Sequence, residues 1–383
     1  MTLPAGVHVR IVGTGLIGTS LGLALSRTGA LVSLDDPSTT ACALARDLGA
    51  GVLAAEVTAA PAVVVVAAPP DAVAAVVARE LAAWPEAVVT DVASVKLAVL
   101  EEVSALGGDL RRYVGSHPMA GRERSGAIAA QADLFEGRSW VVAPGPEAGE
   151  AATAAVRDLA LAVGAAPTRM TPGAHDAAVA AVSHVPQVAA SLVAARLRDL
   201  PDRAVALAGQ GLRDVTRIAA SDPMMWTQIL AGNAPALRVV LEQLAADLHD
   251  VVQAVRQLDA ASAASAGSGG GPATAAAAGG AGRGSRAVLA RAVASGNAGH
   301  ARIPGKHGAA PTAYATVTVL VPDEPGALGR LLHDVGEAGI NLEDLHLEHG
   351  IGAPVGLAEL AVLPAAAEPL TTALLQRGWR VHD

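Results

Sequence analysis

Cysteine is nearly absent from this chain of 383 residues: Cys42 stands alone. That excludes a disulfide framework and any cysteine-based zinc site. Aromatic residues make up only 2%, and most of the 52% apolar fraction is Ala and Val, so the core is expected to be aliphatic. Basic charge is also short, with 27 Lys and Arg against 36 Asp and Glu and a net charge of −9. A general nucleic-acid binder needs the opposite balance to neutralise phosphates, so any anionic ligand must be held by a few local arginines. Lysine is scarcer still, with only Lys96 and Lys306. No apolar run in the sequence, Ala62–Ala68 included, approaches the length of a bilayer span. Met1–Val12 lacks the basic start, apolar stretch and small-residue cleavage site of a secretory signal. The expectation is a soluble, cytoplasmic protein of two or three domains, at roughly 150 residues each.

What is present is a strong alternation of strand and helix signals. Val7–Val12, Leu31–Leu34, Val63–Ala67, Ala87–Thr90, Tyr113–Gly115 and Trp140–Ala143 are continuous apolar or β-branched runs bounded by Gly, Pro or Asp. Continuous runs suit parallel strands covered on both faces, and the helical patterns between them predict an α/β doubly wound, Rossmann-like domain over residues 1–172. Strand signals then stop, and residues 173–260 read as an all-α domain, with Asp222 before Pro223 marking a helix start. Residues 261–311 collapse into Ala, Gly and Ser, a composition expected to stay a flexible linker around a short helix at Arg286–Ala294. Residues 312–383 follow a βαββαβ pattern, a ferredoxin-like α+β topology.

Chemistry concentrates at element ends. Gly13–Thr14–Gly15–Leu16–Ile17–Gly18 follows a strand and opens a helix, as a pyrophosphate-binding loop must. One glycine serves the tight turn, the next lets backbone approach the ligand, and the last lets helix pack on strand. The second strand ends about 20 residues on, where Asp35 can accept from ribose hydroxyls. Asp36 and Pro37 follow instead of Arg, which favours NAD over NADP. Three further polar segments stand out: Asp91–Lys96, Gly115–Glu123, and Gly211–Arg217 continuing to Ser221–Trp226. The first two follow strands, so they should face the nicotinamide, and His117 is well placed as a general base, since the unperturbed pKa of an imidazole lies near neutrality. His175 and His184 lie on an apolar helix, where a satisfied core histidine is the ordinary outcome.

The ordered set GTGLIGTSL, DVASVK, GSHPMAGRE, SHVPQ and GLRDVTRIAASDPMMW resembles the prephenate dehydrogenase family. The final segment, with its PDEPGALG turn and Gly339–Ile340–Asn341, resembles an ACT regulatory domain. The resemblance covers about residues 7–258 and 314–383. It implies NAD-dependent oxidative decarboxylation of prephenate to 4-hydroxyphenylpyruvate, in tyrosine biosynthesis. Hydride leaves the hydroxyl-bearing carbon, carbon dioxide is lost, and the ring aromatises. By motif match His117 takes the hydroxyl proton, Ser94 hydrogen-bonds near the hydroxyl and nicotinamide, and Arg217 clamps a carboxylate. His184 contacts the pyruvyl side chain, Glu123 belongs to the pocket and Trp226 lines it. Arg213, four residues before Arg217, adds charge on the same helical face.

Further expectations come with the resemblance. The helical domain should form a homodimer, since a monomer would expose large apolar faces. Asp323, Gly326 and Asn341 should form an effector site for an aromatic amino acid, tyrosine first, with helix N–H groups receiving its carboxylate. No metal, nucleic acid or membrane partner is expected. Two alternatives stand beside the enzyme reading: an arogenate dehydrogenase giving tyrosine directly, and a catalytically silent NAD-binding amino-acid sensor. A β-hydroxyacid dehydrogenase is excluded, because that class carries its catalytic lysine on the helical domain, and no lysine lies between Lys96 and Lys306.

Overall fold

A computed structural model describes residues 6–121, 126–267, 272–303, 314–349 and 354–382. The chain divides into two compact units, Met1–Ala246 and Asp247–Asp383.

The first unit opens with β1 (His8–Val12), α1 (Leu16–Arg27), β2 (Leu31–Asp35), α2 (Thr39–Asp47) and β3 (Val52–Leu53). β4 (Val63–Val66), α3 (Val73–Ala83), β5 (Val88–Asp91), α4 (Leu97–Ala105) and β6 (Tyr113–Pro118) follow. β7 (Ser139–Pro144), α5 (Glu150–Ala162) and β8 (Ala166–Arg169) complete an eight-stranded sheet ordered β3-β2-β1-β4-β5-β6-β7-β8. Every pairing is parallel except β6 with β7. The six Val-rich runs are therefore strands, as their composition predicts. β3 and β8 carry no such run: β3 is two residues long, and β8 is an edge strand with mostly exposed side chains. Apolar residues on both faces explain the pattern. Val9, Ile11, Val32 and Leu34 pack under α1 and α2, and Val64, Val66 and Val89 pack under α3 and α4.

The helical part begins with α6 (Pro172–Val179) and α7 (Val185–Ala195), joined through a π-helical segment at Ala180–His184. Such bulges recur at functional sites because the extra residue re-aims side chains. By length and mean hydropathy (1.5) the run Pro172–Ala195 would pass as a membrane span. Its buried His175, Asp176 and His184 instead mark it as a helix of a folded domain. α8 (Asp202–Val205), α9 (Gln210–Thr216), α10 (Pro223–Gly232) and α11 (Ala234–Gly267) follow. Asp222 caps α10 as expected, its carboxylate accepting from Met224 N at 2.8 Å.

Where the structure describes residues 261–311, it shows mostly helix in place of the expected irregular linker around a short helix. α11 continues to Gly267, and α12 runs from Pro272 to His300. Low apolar content argues against a packed core, but alanine is also the strongest helix former, and an Ala-rich stretch of this length can be helical. Ser285 is buried, and its hydroxyl donates to Gln257 Oε1 at 2.8 Å. Residues 304–313 lie outside the described residues.

The C-terminal part comprises β9 (Ala315–Pro322), α13 (Ala327–Glu337), β10 (Asp344–His349), β11 (Val355–Val362), α14 (Pro364–Gln376) and β12 (Arg380–His382). Its antiparallel sheet is ordered β10-β11-β9-β12, the ferredoxin-like arrangement that the βαββαβ pattern predicts. Val319, Leu331, Leu360, Leu370 and Trp379 form its core.

Candidate active site

Because β1, β4, β5 and β6 run parallel, their C-terminal ends share one edge of the sheet. The glycine loop, the Asp91–Lys96 loop and His117 all fall on that edge, where ligands of doubly wound folds bind.

The glycine loop is shaped by close approach. Gly13 has φ +104°, and a Cβ there would lie 2.4 Å from Ala67 O. A Cβ at Gly18 would lie 1.9 Å from Gly13 O, so both positions require glycine. At Gly15 nothing lies within 4 Å of an added Cβ, and no side chain caps the start of α1. The free first-turn N–H groups, at Leu16, Ile17 and Gly18, therefore face an open cradle suited to a pyrophosphate. Asp35 stands at the end of β2 with a partly exposed carboxylate, which accepts from Arg10 Nη2 at 2.5 Å. Asp36 is committed elsewhere, accepting from Thr14 N at 2.7 Å and Thr14 Oγ1 at 3.0 Å.

His117 is the end of a hydrogen-bonded relay. Its Nδ1 meets His175 Nε2 at 2.9 Å, and His175 Nδ1 meets Asp176 Oδ1 at 2.7 Å. The Asp176 carboxylate also accepts from Lys96 N and Leu97 N, each at 2.9 Å, so it caps the N-terminus of α4. A carboxylate can only accept. His175 must then donate Nδ1–H to Asp176, and in the neutral ring its Nε2 is an acceptor. His117 in turn donates Nδ1–H and keeps the lone pair on Nε2. The tautomer of a general base is set by this hydrogen-bond logic.

A second buried network lies beneath it. Lys96, 1% exposed, donates Nζ–H to Asp91 Oδ1 and to Ser116 O, the latter at 2.8 Å. Tyr113 donates its hydroxyl to Asp91 Oδ2 at 2.7 Å. Burial pushes the Lys96 ammonium down, against the pull of Asp91. Burial of the His117 ring, with added repulsion from the Lys96 ammonium, holds His117 well below the ordinary imidazole value. Neutral His117 is thus the form present near neutrality.

His184 is 1% exposed, and its Nδ1 pairs with Asn233 Nδ2 at 3.0 Å. Asn233 also donates to Asp176 O at 2.8 Å. With Nδ1 accepting, His184 carries its proton on Nε2. Burial lowers its basicity, and the indole of Trp226 stands edge-on with ring centroids 6.1 Å apart. Trp226 also lines a cleft of about 230 Å³ with Gln187, Ser191 and Ser221.

The structure therefore brings His117, His184 and Trp226 into one region of polar contacts. Ser94 sits partly buried in the loop between β5 and α4. Arg213 and Arg217 lie exposed on α9 and the turn after it. Asp214 accepts from Gln210 and Asp222 caps α10. Glu123 lies outside the described residues. His175, Asp176, Asn233 and Lys96 are the members that sequence reasoning missed. The signal available was the His175–Asp176 pair itself, an adjacent imidazole and carboxylate at the start of an otherwise apolar helix.

A base kept neutral on the same sheet edge as a loop shaped for a dinucleotide suits removal of a hydroxyl proton as hydride departs. That is the work of a nicotinamide-dependent dehydrogenase. The family described as prephenate dehydrogenase, nucleotide-binding domain, matches residues 21–168, and that described as prephenate dehydrogenase, dimerization domain, matches residues 171–264. NovF of Streptomyces niveus, described as a probable prephenate dehydrogenase, is 36% identical over 97% of this chain and 99% of its own length. Among solved structures, prephenate dehydrogenase from A. aeolicus in complex with hydroxyphenyl propionate and NAD+ aligns with TM-score 0.59 and 27% identity, over 67% of this chain and 92% of that one. Synechocystis arogenate dehydrogenase aligns with TM-score 0.57 and 26% identity, over 65% and 92%. The chain belongs to the prephenate dehydrogenase family.

The relay makes a pH prediction. The base must be neutral to accept a proton, and His117 is held well below the ordinary imidazole value, so log kcat/KM should be level at neutral pH and through about 6.5, and fall only at pH well below that. Asp176→Asn cannot accept from both His175 and the α4 backbone in the same way. It should flip the tautomer of His175 and, through it, of His117, lowering kcat by about a hundredfold or more while NAD affinity is retained. A variant with near-normal kcat in steady-state kinetics would contradict the relay.

Proposed function

We propose that this chain catalyses the NAD-dependent oxidative decarboxylation of prephenate to 4-hydroxyphenylpyruvate in the cytoplasm, as a step of tyrosine biosynthesis. The observation that carries the reading is the His117–His175–Asp176 relay on the same sheet edge as the glycine loop. When bound, NAD supplies the hydride acceptor. Gly13, Gly15, Leu16, Ile17 and Gly18 hold its pyrophosphate, and Asp35 its ribose.

His117 Nε2 removes the proton of the substrate hydroxyl. Electron density moving from that oxygen expels the hydride from the ring carbon. The C–C bond to the ring carboxylate then breaks, carbon dioxide leaves, and the bonding pair completes the aromatic ring. Ser94 orients the hydroxyl. The His184 Nε2–H is a donor for the pyruvyl side chain, with Trp226 fixing its ring. Arg217, supported by Arg213, clamps a carboxylate, and Glu123 completes the pocket. The partial burial of His117 limits contact between the base and water and strengthens the hydrogen bond it makes to His175.

Residues 173–260 serve as the substrate and dimerisation domain of a homodimer. Exposed Val182, Leu192, Leu207 and Met224 are the apolar surface that a partner subunit would cover. Residues 312–383 act as an ACT-like regulatory domain that binds tyrosine. Support comes from its topology and from Gly326, whose φ of +88° lets the chain turn into α13 beside Asp323. Asn341 Nδ2 now donates to Glu343 Oε1 at 3.2 Å, and it precedes β10 instead of opening it. Binding would regulate only if tyrosine distinguished two catalytic states.

Side-by-side assay of prephenate and arogenate with NAD tests the central reading. Prephenate should have the larger kcat/KM, and Arg217→Ala should raise its KM about tenfold or more, since a charge-assisted hydrogen bond contributes about 1.5–3 kcal/mol. Preference for arogenate would make the chain an arogenate dehydrogenase, and no turnover of either would leave a binding protein. Tyrosine should inhibit the full chain, and Asn341→Ala should weaken that inhibition several-fold. Unaltered inhibition would place tyrosine at the active site as a product-like competitor.

A further inference from the structure

A charged cluster behind the ribose position is not used by the chemistry above. Arg10 is the one charged residue of β1, and its neighbours in the strand are apolar or histidine. Its Nε donates to Glu80 Oε2 at 2.8 Å and its Nη2 to Asp35 Oδ2 at 2.5 Å. Glu80 is almost wholly buried and also receives Arg79 Nη2 at 2.8 Å and Trp84 Nε1 at 3.1 Å. The side chain of Arg10 is 13% exposed and that of Asp35 is 41% exposed. Arg10 is thus held from below by Glu80 and covered from above by the carboxylate that faces the ribose.

We propose that Arg10 is the specificity-determining residue for the cofactor: it fixes Asp35 for an unphosphorylated ribose, and it is a preplaced cation for a 2′-phosphate wherever Asp35 is lost. The proposal rests on the reading of the glycine loop as a dinucleotide site. The charges support it. Arg10 and Arg79 balance Glu80 and Asp35, so the intact cluster is neutral and its outermost group is an anion, which repels a phosphate. Removing Asp35 leaves two guanidinium groups against one carboxylate, with the fork of Arg10 newly uncovered. A planar guanidinium pairs with phosphate through two parallel hydrogen bonds. Asp36 remains an anion nearby, but its carboxylate is turned to Thr14 N, Thr14 Oγ1 and Ser38 N, whose donated hydrogen bonds partly offset its repulsion of a phosphate.

The arrangement differs from the usual route to NADP selectivity, in which an arginine must appear beside the second strand. Here the cation already exists on the first strand, locked by a buried carboxylate 70 residues away in sequence. A single substitution at Asp35 should therefore do the work of two.

Isothermal titration of NAD and NADP into the full chain tests this without recourse to turnover. The unsubstituted protein should bind NAD and strongly disfavour NADP. Asp35→Ser should weaken NAD and strengthen NADP, shifting the affinity ratio by at least about tenfold. Adding Arg10→Gln together with Glu80→Gln, which removes both buried charges and leaves the net charge of the patch the same as in Asp35→Ser alone, should abolish the gain in NADP affinity. Asp35→Ser with Arg10→Lys should recover only part of it, because an ammonium lacks the fork. Equal NADP gain with and without Arg10 would overturn the proposal. Failure of the unsubstituted protein to bind either dinucleotide would overturn the glycine-loop reading, and this proposal with it.

Discussion

The Asp176 carboxylate is the group on which the site depends. It takes N–H bonds from Lys96 and Leu97 at the start of α4 and from the imidazole of His175. Three acceptor contacts on one buried carboxylate tie the helical part of the first unit to its sheet. They also fix the proton of His175 on Nδ1, and with that ring neutral they set the direction of the next hydrogen bond. From that constraint follow the tautomer of His175, the tautomer of His117, and the availability of a lone pair at the sheet edge. Asn233 extends the same bracing to His184 through its bond to the Asp176 carbonyl.

Burying so much polarity would destabilise the fold unless nearly every group found a partner. The Lys96–Asp91 pair lies at essentially zero exposure, and Tyr113, Ser116 and Ala93 N complete the acceptor and donor demands around it. The ion pair is therefore better understood as an electrostatic fixture than as a source of stability, since desolvation offsets most of the attraction between buried charges. Its effect reaches the site. A fixed positive charge near His117, added to the burial of the ring, opposes protonation of the imidazole and keeps a base available at neutral pH.

Much of the frame was legible in the residues because it rests on local patterns. The Val runs name the parallel strands, the glycine spacing names the loop, and the Asp222–Pro223 pair marks a helix start. His117 was legible as a base from its position at a strand end. Its partners were not, because His175 lies 58 residues away and Asp176 meets α4 across 80. A histidine on an apolar helix looks like core until the fold brings a second imidazole against it. Arg10 was hidden likewise, as a single charge in a strand whose partners lie 25 and 70 residues on. The stretch after residue 260 misled for a different reason. Its poverty in large apolar side chains argues for disorder, while its alanine content argues for helix, and only the structure decides between them.

The central claim is that the His175–Asp176 pair presents His117 as a neutral imidazole with its proton on Nδ1. Nitrogen-15 NMR of the histidine side chains, with His117 assigned by substitution, reads the tautomer and the titration directly. The account predicts a protonated Nδ1 and an unprotonated Nε2 on His117, persisting at pH values well below the ordinary imidazole pKa of about 6.5. A proton on Nε2 at neutral pH, or titration of the ring at its ordinary value, would contradict it.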